Sequence, residues 1–282
     1  MSRTVRRKLL SGIVVGLCGL AVVLALIPLF LILVWVLRQG IGSLDWAFFT
    51  QVPKPVGEPG GGMANAILGS ITLVLLAAGM AVPVGVLTAV HLSEYPRTRF
   101  STLVRFLVDV LNGVPSIVVG IFAYAVVVLP VKHFSAWAGG VALAVLMLPL
   151  VTRTAEELLL LVPGTLREGA LALGASRARA VLTVILPAAL PGIMTGVLVS
   201  LARVAGEAAP LLFTAFGNRY WSKSLSQPMA SLTVQVYTYA ISPYEDWHRQ
   251  AWAGALVLVA LVSLFSILSR IVTARLERMH HA

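Results

Sequence analysis

The chain has 282 residues, of which 59% are hydrophobic and 11% charged, where a soluble domain carries about a quarter charged residues. So much apolar surface excludes a water-soluble globular fold and makes the bilayer its natural solvent. The net charge of +10 would suggest nucleic acid as the partner of a soluble protein, but in a membrane protein the placement of basic loops has to be considered first.

The chain opens with Arg3, Arg6, Arg7 and Lys8, ahead of an apolar run from Leu9 to Leu37. That run exceeds the roughly 7–15 apolar residues of a signal peptide and ends in no small-residue cleavage pattern, so it predicts a retained first helix. About 20 apolar residues cross the hydrocarbon as a helix. The segments that qualify are Leu10–Leu37, Ala64–Val90, Val114–Val131, Ala136–Val151, Pro191–Phe216 and Trp252–Val272. The third and fourth are short, which predicts spans that are tilted or broken. The expected fold is all-α, a polytopic membrane protein of about six transmembrane helices. Residues 1–63 form an N-terminal segment, first helix and outer loop, 64–276 a transmembrane core, and 277–282 a tail. Cys18 is the single cysteine and lies in the first run, so neither an intrachain disulfide nor a cysteine metal site is available.

Two connecting segments are long. Gln39–Met63 is rich in Gly and Pro and reads as a loop with turns. Gly217–Gln250 carries Trp221, Tyr237, Tyr239, Tyr244 and Trp247, which suit either headgroup level or a docking surface for a soluble partner. With the N-terminus inside, 14 Lys and Arg residues fall on the cytoplasmic side and 6 outside, with Arg203 left within a span. The positive-inside rule then puts both termini in the cytoplasm, and no nucleic acid is needed to explain the charge.

The cytoplasmic stretch 153–187 is longer than a connection needs. Thr165-Leu-Arg-Glu168 has the form of a capping box, opening a short helix over Leu166–Leu173. Gly174 sits where a left-handed C-terminal residue is wanted, and Ser176 can cap a second helix running back to Pro187. Leu166, Ala170 and Leu173 share one apolar face. A helix this short is marginal in water, so that face needs a cover, from the protein and membrane or from a partner.

Glu168-Gly-Ala, three residues, Gly174, nine residues and Val184-Ile-Leu-Pro187 resemble the EAA signature of ABC importer permeases. Gly169 and Val184 depart from that pattern. The glycine weakens an exposed helix by about 1 kcal/mol relative to alanine, so docking rather than propensity has to hold it. The resemblance implies that Thr165, Leu166, Glu168, Ala170, Leu173 and Gly174 form the surface that couples to an ATPase subunit. No phosphate-binding loop of the Gly-x-x-x-x-Gly-Lys type occurs in the chain. ATP and magnesium would therefore belong to the ATPase, with no cofactor on this chain.

Gly61–Ser70, Gly113-Val-Pro-Ser-Ile-Val-Val-Gly120 and Arg203-Val-Ala-Gly-Glu-Ala-Ala-Pro-Leu-Leu-Phe-Thr214 narrow the resemblance to the permeases of the bacterial phosphate-specific importer. The implied assembly, in the inner membrane, has a second homologous permease and two ATPase subunits, served by a periplasmic or extracellular phosphate-binding protein, with a phosphate-sensing regulator as a further partner. Sulfate or molybdate is the alternative cargo, and the sister phosphate permease the alternative subunit.

Arg203 and Glu207 lie four apart and, if helical, share a face. Ionisable residues at membrane depth face a bundle interior or an aqueous path. The two form either a structural ion pair or part of a phosphate route, where the planar guanidinium suits oxyanions. Pro115 and Ser116 open the third span as plain architecture or as an anion-binding helix start. Asn65 and Ser70 either line the path or bond neighbouring helices. Asp109 reads as paired or interfacial, and Glu156 and Glu157 as charges at a membrane boundary. The histidines are scattered and the chain has no His-Glu-x-x-His or Gly-x-Ser-x-Gly motif, which argues against an intramembrane enzyme. A scaffold or sensor that moves nothing would have no use for the ATPase-docking signature.

Overall fold

The computed structural model describes residues 3–58 and 60–280, and their regular structure is helical apart from one isolated bridge between Pro53 and Gly61. In chain order the helices are α1 (Arg3–Ile41), α2 (Trp46–Thr50), α3 (Ala64–Glu94), α4 (Arg99–Gly113) and α5 (Ser116–Ala123). A π turn over Tyr124–Val128 joins α5 to α6 (Leu129–Val131), followed by α7 (Ala136–Leu161), α8 (Gly164–Ala172) and α9 (Arg177–Ala180). A second π turn over Val181–Ile185 leads into α10 (Leu186–Ala205), and α11 (Ala209–Leu212), α12 (Leu232–Ala240) and α13 (Glu245–His280) complete the chain. Five helical stretches are long and apolar enough to cross a membrane, and α4 with the bent continuation from α5 through α6 makes a sixth if counted as one span.

Side-chain caps fix several helix starts. The hydroxyls of Thr98, Ser135 and Ser231 accept from the amides of Ser101, Ala138 and Val234, and Asp45 accepts from Phe48. Each satisfies an amide left without an intrahelical partner.

The core is built on α3 and α7, which pack together closely, with α10 against α7 and α13. Their contact faces are dominated by small side chains, Ala77, Ala81 and Ala89 on α3 and Ala138, Ala142 and Ala144 on α7, all buried. Between membrane helices association rests on van der Waals packing, and small residues let the backbones approach. α3 also lies close against the segment before α12, since a Cβ at Gly69 would lie 2.0 Å from the Ala230 carbonyl oxygen. α1 lies mainly on α13 and is otherwise exposed, as a lipid-facing helix would be.

The helix bounds differ from the sequence expectation in instructive ways. The fourth span does not stop at Val151 but runs as α7 to Leu161, where the charges it carries are paired: Glu156 with Arg105 and Arg153, and Glu157 with Arg153. The fifth does not reach from Pro191 to Phe216. It begins at Arg177 and stops at Ala205, capped by Gly206. The connection between α7 and α9 therefore covers only 162–176, not 153–187. The stretch expected as the third span, Val114–Val131, is only the second limb of a pair; α4 (Arg99–Gly113), expected as part of a connection, is the first, and the two are bent by 107°. The long loops contain α2 and α12, and the region expected as a tail continues α13 as far as His280, with residues 281–282 outside the described residues.

Candidate functional site

The end of α10, the bend between α4 and α5, and the middle of α7 enclose a cavity of about 200 Å³. Its polar lining comes from Arg203, Glu207, Ser116 and Asn112, and its apolar wall from Leu146 and Leu150 of α7. Arg203 sits in the last turn of α10, where the negative end of the helix dipole favours a cation. Ser116 is the first residue of α5, whose opening amides have no intrahelical acceptor. The volume is several times the ~30 Å³ share of one water, room for a small hydrated oxyanion.

Arg203 and Glu207 meet in this cavity, but not as an intrahelical ion pair. The helix ends at Gly206, and the Gly206 and Glu207 amides turn back to the Arg203 and Val204 carbonyls, each at 3.1 Å. Thr233 then donates to the Glu207 carbonyl at 3.0 Å, anchoring that residue's backbone. Among the described residues no ion pair links the two side chains, which leaves the guanidinium available to an anion. Arg203 also borders an open groove of about 520 Å³ between α7 and α10 that passes Thr154 and Glu157 and reaches Leu161. Asn112 was not among the expected site residues. The sequence signal for it is its position four residues before Ser116, next to the Gly113-Val-Pro bend.

Asn65 and Ser70 lie elsewhere and bond neighbouring segments. Asn65 is buried and donates to the Asn218 carbonyl at 2.7 Å, and the Ser70 hydroxyl accepts from the Leu232 amide at 2.7 Å.

The short helix α8 begins two residues earlier than the capping box requires. Pro163 is its N-cap and has no side-chain acceptor, and its carbonyl takes the Leu166 amide at 3.1 Å. Thr165 is thereby drawn inside the helix, and the reciprocal Thr165–Glu168 bonds do not form. The other end does adopt a left-handed residue: Gly174 has φ of 83°. The Gly174 amide bonds Leu171 and the Ala175 amide bonds Ala170, the two bonds of a Schellman ending. Leu166 and Glu168 are exposed, Ala170 is half-buried, and Leu173 is 91% exposed. The apolar face of α8 thus has no cover within the chain. Arg167, on the same helix, pairs with Glu94 at the end of α3.

Glu156 is not a boundary charge; its side chain is 3% exposed. It accepts from Arg105 Nε at 2.6 Å and from Arg153 at 3.4 Å, and Arg153 reaches Asp109 at 3.5 Å and Glu157 at 3.9 Å. Asp109, expected as paired or interfacial, pairs with Arg153 and stays half exposed. Arg105 also donates to the carbonyls of Leu92 and Pro96, both at 2.9 Å.

At the opposite end of the bundle Tyr239 stacks on Trp247 with ring centroids 4.4 Å apart, and the Arg219 guanidinium lies 5.5 Å over the Trp247 ring. Burial pushes the Tyr239 phenol above its usual pKa.

Residues 81–279 match the profile of a family described as binding-protein-dependent transport system inner membrane component. The phosphate transport system permease protein PstA of Yersinia pestis is 44% identical over 86% of this chain and 84% of its own length. The protein of that name from Haemophilus influenzae is 42% identical over 94% of each chain. PstA 1 of Mycobacterium tuberculosis is 35% identical over 98% of this chain and 92% of its own. Among solved structures, an inward-facing form of the MetNI methionine ABC transporter superposes with a TM-score of 0.59 at 22% identity, covering 75% of this chain and 93% of that one. An amino acid ABC transporter gives 0.57 at 19% identity over 74% and 92%. At these identities the structural likeness speaks for the fold.

Proposed function

Since this chain belongs to the family of binding-protein-dependent transport inner membrane components, a multi-pass permease working within an ABC transporter assembly, we propose that it is the subunit through which inorganic phosphate crosses the inner membrane. The observation that carries this reading is the convergence of Arg203, Ser116 and Glu207 on one cavity. The guanidinium offers a fork of donors to oxyanion oxygens, and the α5 start offers amides and a hydroxyl. Glu207 accepts from a phosphate hydroxyl and holds the site's charge near balance when no anion is present.

In this reading both termini are cytoplasmic and α8 faces the cytoplasm. An outer phosphate-binding protein delivers its cargo at the α12 end, and a second, homologous permease completes the pathway. Two ATPase subunits, holding ATP and magnesium, seat on the loop helices of the permeases. Leu166, Ala170 and Leu173 supply the apolar contact, Glu168 a charged one, and Gly174 with Thr165 sets how α8 is presented. Closure of the ATPases drags α8, and the groove past Arg203 opens to one side and then the other.

The test is labelled phosphate uptake by a strain lacking its own phosphate import, with this chain expressed alongside its neighbouring transporter subunits. Uptake that needs this chain and ATP, and persists under excess sulfate and molybdate, is expected. Transport of sulfate or molybdate instead would overturn the substrate assignment while leaving the permease role. An assembled complex that hydrolyses ATP and moves no anion would return the chain to a sensor or scaffold. Full activity of the complex with the sister permease in its place would overturn the subunit assignment.

A further inference from the structure

Three parts of this chain converge on one side chain. Arg105, on α4, uses Nε for the buried Glu156 carboxylate of α7 at 2.6 Å. Its two terminal nitrogens donate to the carbonyls of Leu92 and Pro96, at and just beyond the end of α3. Those carbonyls lie where α3 runs out of intrahelical donors, so they need an outside partner. The planar guanidinium spreads its donors over three nitrogens in a rigid plane, whereas a lysine offers its three donors from one nitrogen. Arg105 is 25% exposed and Glu156 3%, so the contact is shielded from water and from competing counterions.

What lies on either side of this contact gives it meaning. Glu94, between Leu92 and Pro96, is the residue that pairs with Arg167 of α8. Six residues beyond Arg105 on α4, Leu111 reaches the anion cavity, followed by Asn112; six residues before Glu156 on α7, Leu150 forms its opposite wall. At 1.5 Å per residue both walls stand about 9 Å along their helices from the same contact. The end of α3 is therefore fastened to α8 by one ion pair, and to both helical walls of the cavity by one guanidinium.

We propose that Arg105 is a positioning residue for transport, holding the end of α3 to α4 and α7 so that movement of α8 is delivered to the walls around Arg203. The proposal rests on the phosphate-permease reading above and adds to it the route between the ATPase-facing helix and the anion. Arg105 is neither on α8 nor in the lining of the anion cavity. Removing it leaves the cavity lining intact and breaks the link. Arg105→Gln is a tolerable substitution because Glu156 keeps Arg153 as an ion partner. Arg105→Lys retains the charge opposite Glu156 but cannot serve both α3 carbonyls and the carboxylate together.

The experiment uses the complete transporter, reconstituted with its ATPases and its binding protein, and measures ATP hydrolysed per phosphate moved. Subunit stoichiometry after purification confirms assembly. In Arg105→Gln hydrolysis is expected to continue while uptake falls, raising the ratio about tenfold, with Arg105→Lys between it and wild type; such shifts are of the size that residues along a coupling route produce. The KM for phosphate-loaded binding protein is expected to stay at its wild-type value in both. A merely structural arginine would lower hydrolysis, uptake and assembly in parallel, leaving the ratio unchanged. That result, or an unaltered ratio at full activity, overturns the inference while the phosphate reading stands. A wild-type complex that hydrolyses ATP without moving phosphate overturns the reading, and the inference with it.

Discussion

Arg167 of α8 forms an ion pair with Glu94 in the final turn of α3, a contact across 73 residues of sequence that ties the short helix to the bundle. Glu94 is largely buried and Arg167 about a third exposed, so the pair belongs at the upper end of the range for surface ion pairs, about 1 kcal/mol. A double-mutant cycle over Arg167→Ala and Glu94→Ala, read as ATPase affinity for the permease, should return a coupling of that size. Strict additivity would mean that the pair does not position α8.

Arg203 has no ion partner among the described residues and is exposed on the single chain, so its removal should cost little stability, within about 0.5 kcal/mol. Its loss from an anion site is another matter. Arg203→Ala should lower phosphate uptake about 30-fold or more, the scale of taking a charged partner from a bound ion. Arg203→Lys should restore only part of it. Intact uptake by Arg203→Ala, in complexes of normal composition, would remove the residue from the pathway.

Gly174 takes φ of 83° to end α8. An L side chain pays about 1–2 kcal/mol in that region. Gly174→Ala should weaken ATPase retention during co-purification by about tenfold, while the thermal unfolding of the permease itself barely moves, since α8 buries no residue. An unchanged retention would show that the end of α8 adapts without consequence.

Gly69 tests the packing rather than the chemistry. A methyl there would meet the Ala230 carbonyl oxygen at 2.0 Å, backbone against backbone. Neither side can rotate away, so Gly69→Ala should destabilise the detergent-solubilised protein by about 1–3 kcal/mol, the usual cost of overpacking. The readout is the melting temperature of the purified chain. An unaltered value would mean that the segment before α12 shifts freely.

The sequence disclosed those features whose cause is local. Continuous apolar runs gave the first, second and last spans, and the Gly174 ending followed from a glycine after a short amphipathic stretch. The features it concealed depend on partners far along the chain. Nothing near Glu156 announces that Arg105, 51 residues earlier, will take its carboxylate, so burial of that acid was invisible. Arg203 and Glu207 look like a helical pair because spacing alone is silent about where a helix ends. The Gly206 between them and Pro210 just beyond were the available stop signals. The lining role of Asn112 required the 107° bend at Val114 and Pro115, an angle that a proline suggests but does not set. The capping box failed because Pro163 started the helix first.

α1 and α13, the first and last long helices, lie against one another, while α1 finds little else in the chain to lean on. During synthesis α1 is finished at Ile41, and its neighbour does not begin until Glu245. At a translation rate of about 5–20 residues per second, α1 waits roughly 10–40 s in the bilayer before that neighbour arrives. The seam between the two ends of the chain is thus among the last to close, and until it does the emerging protein is an open bundle.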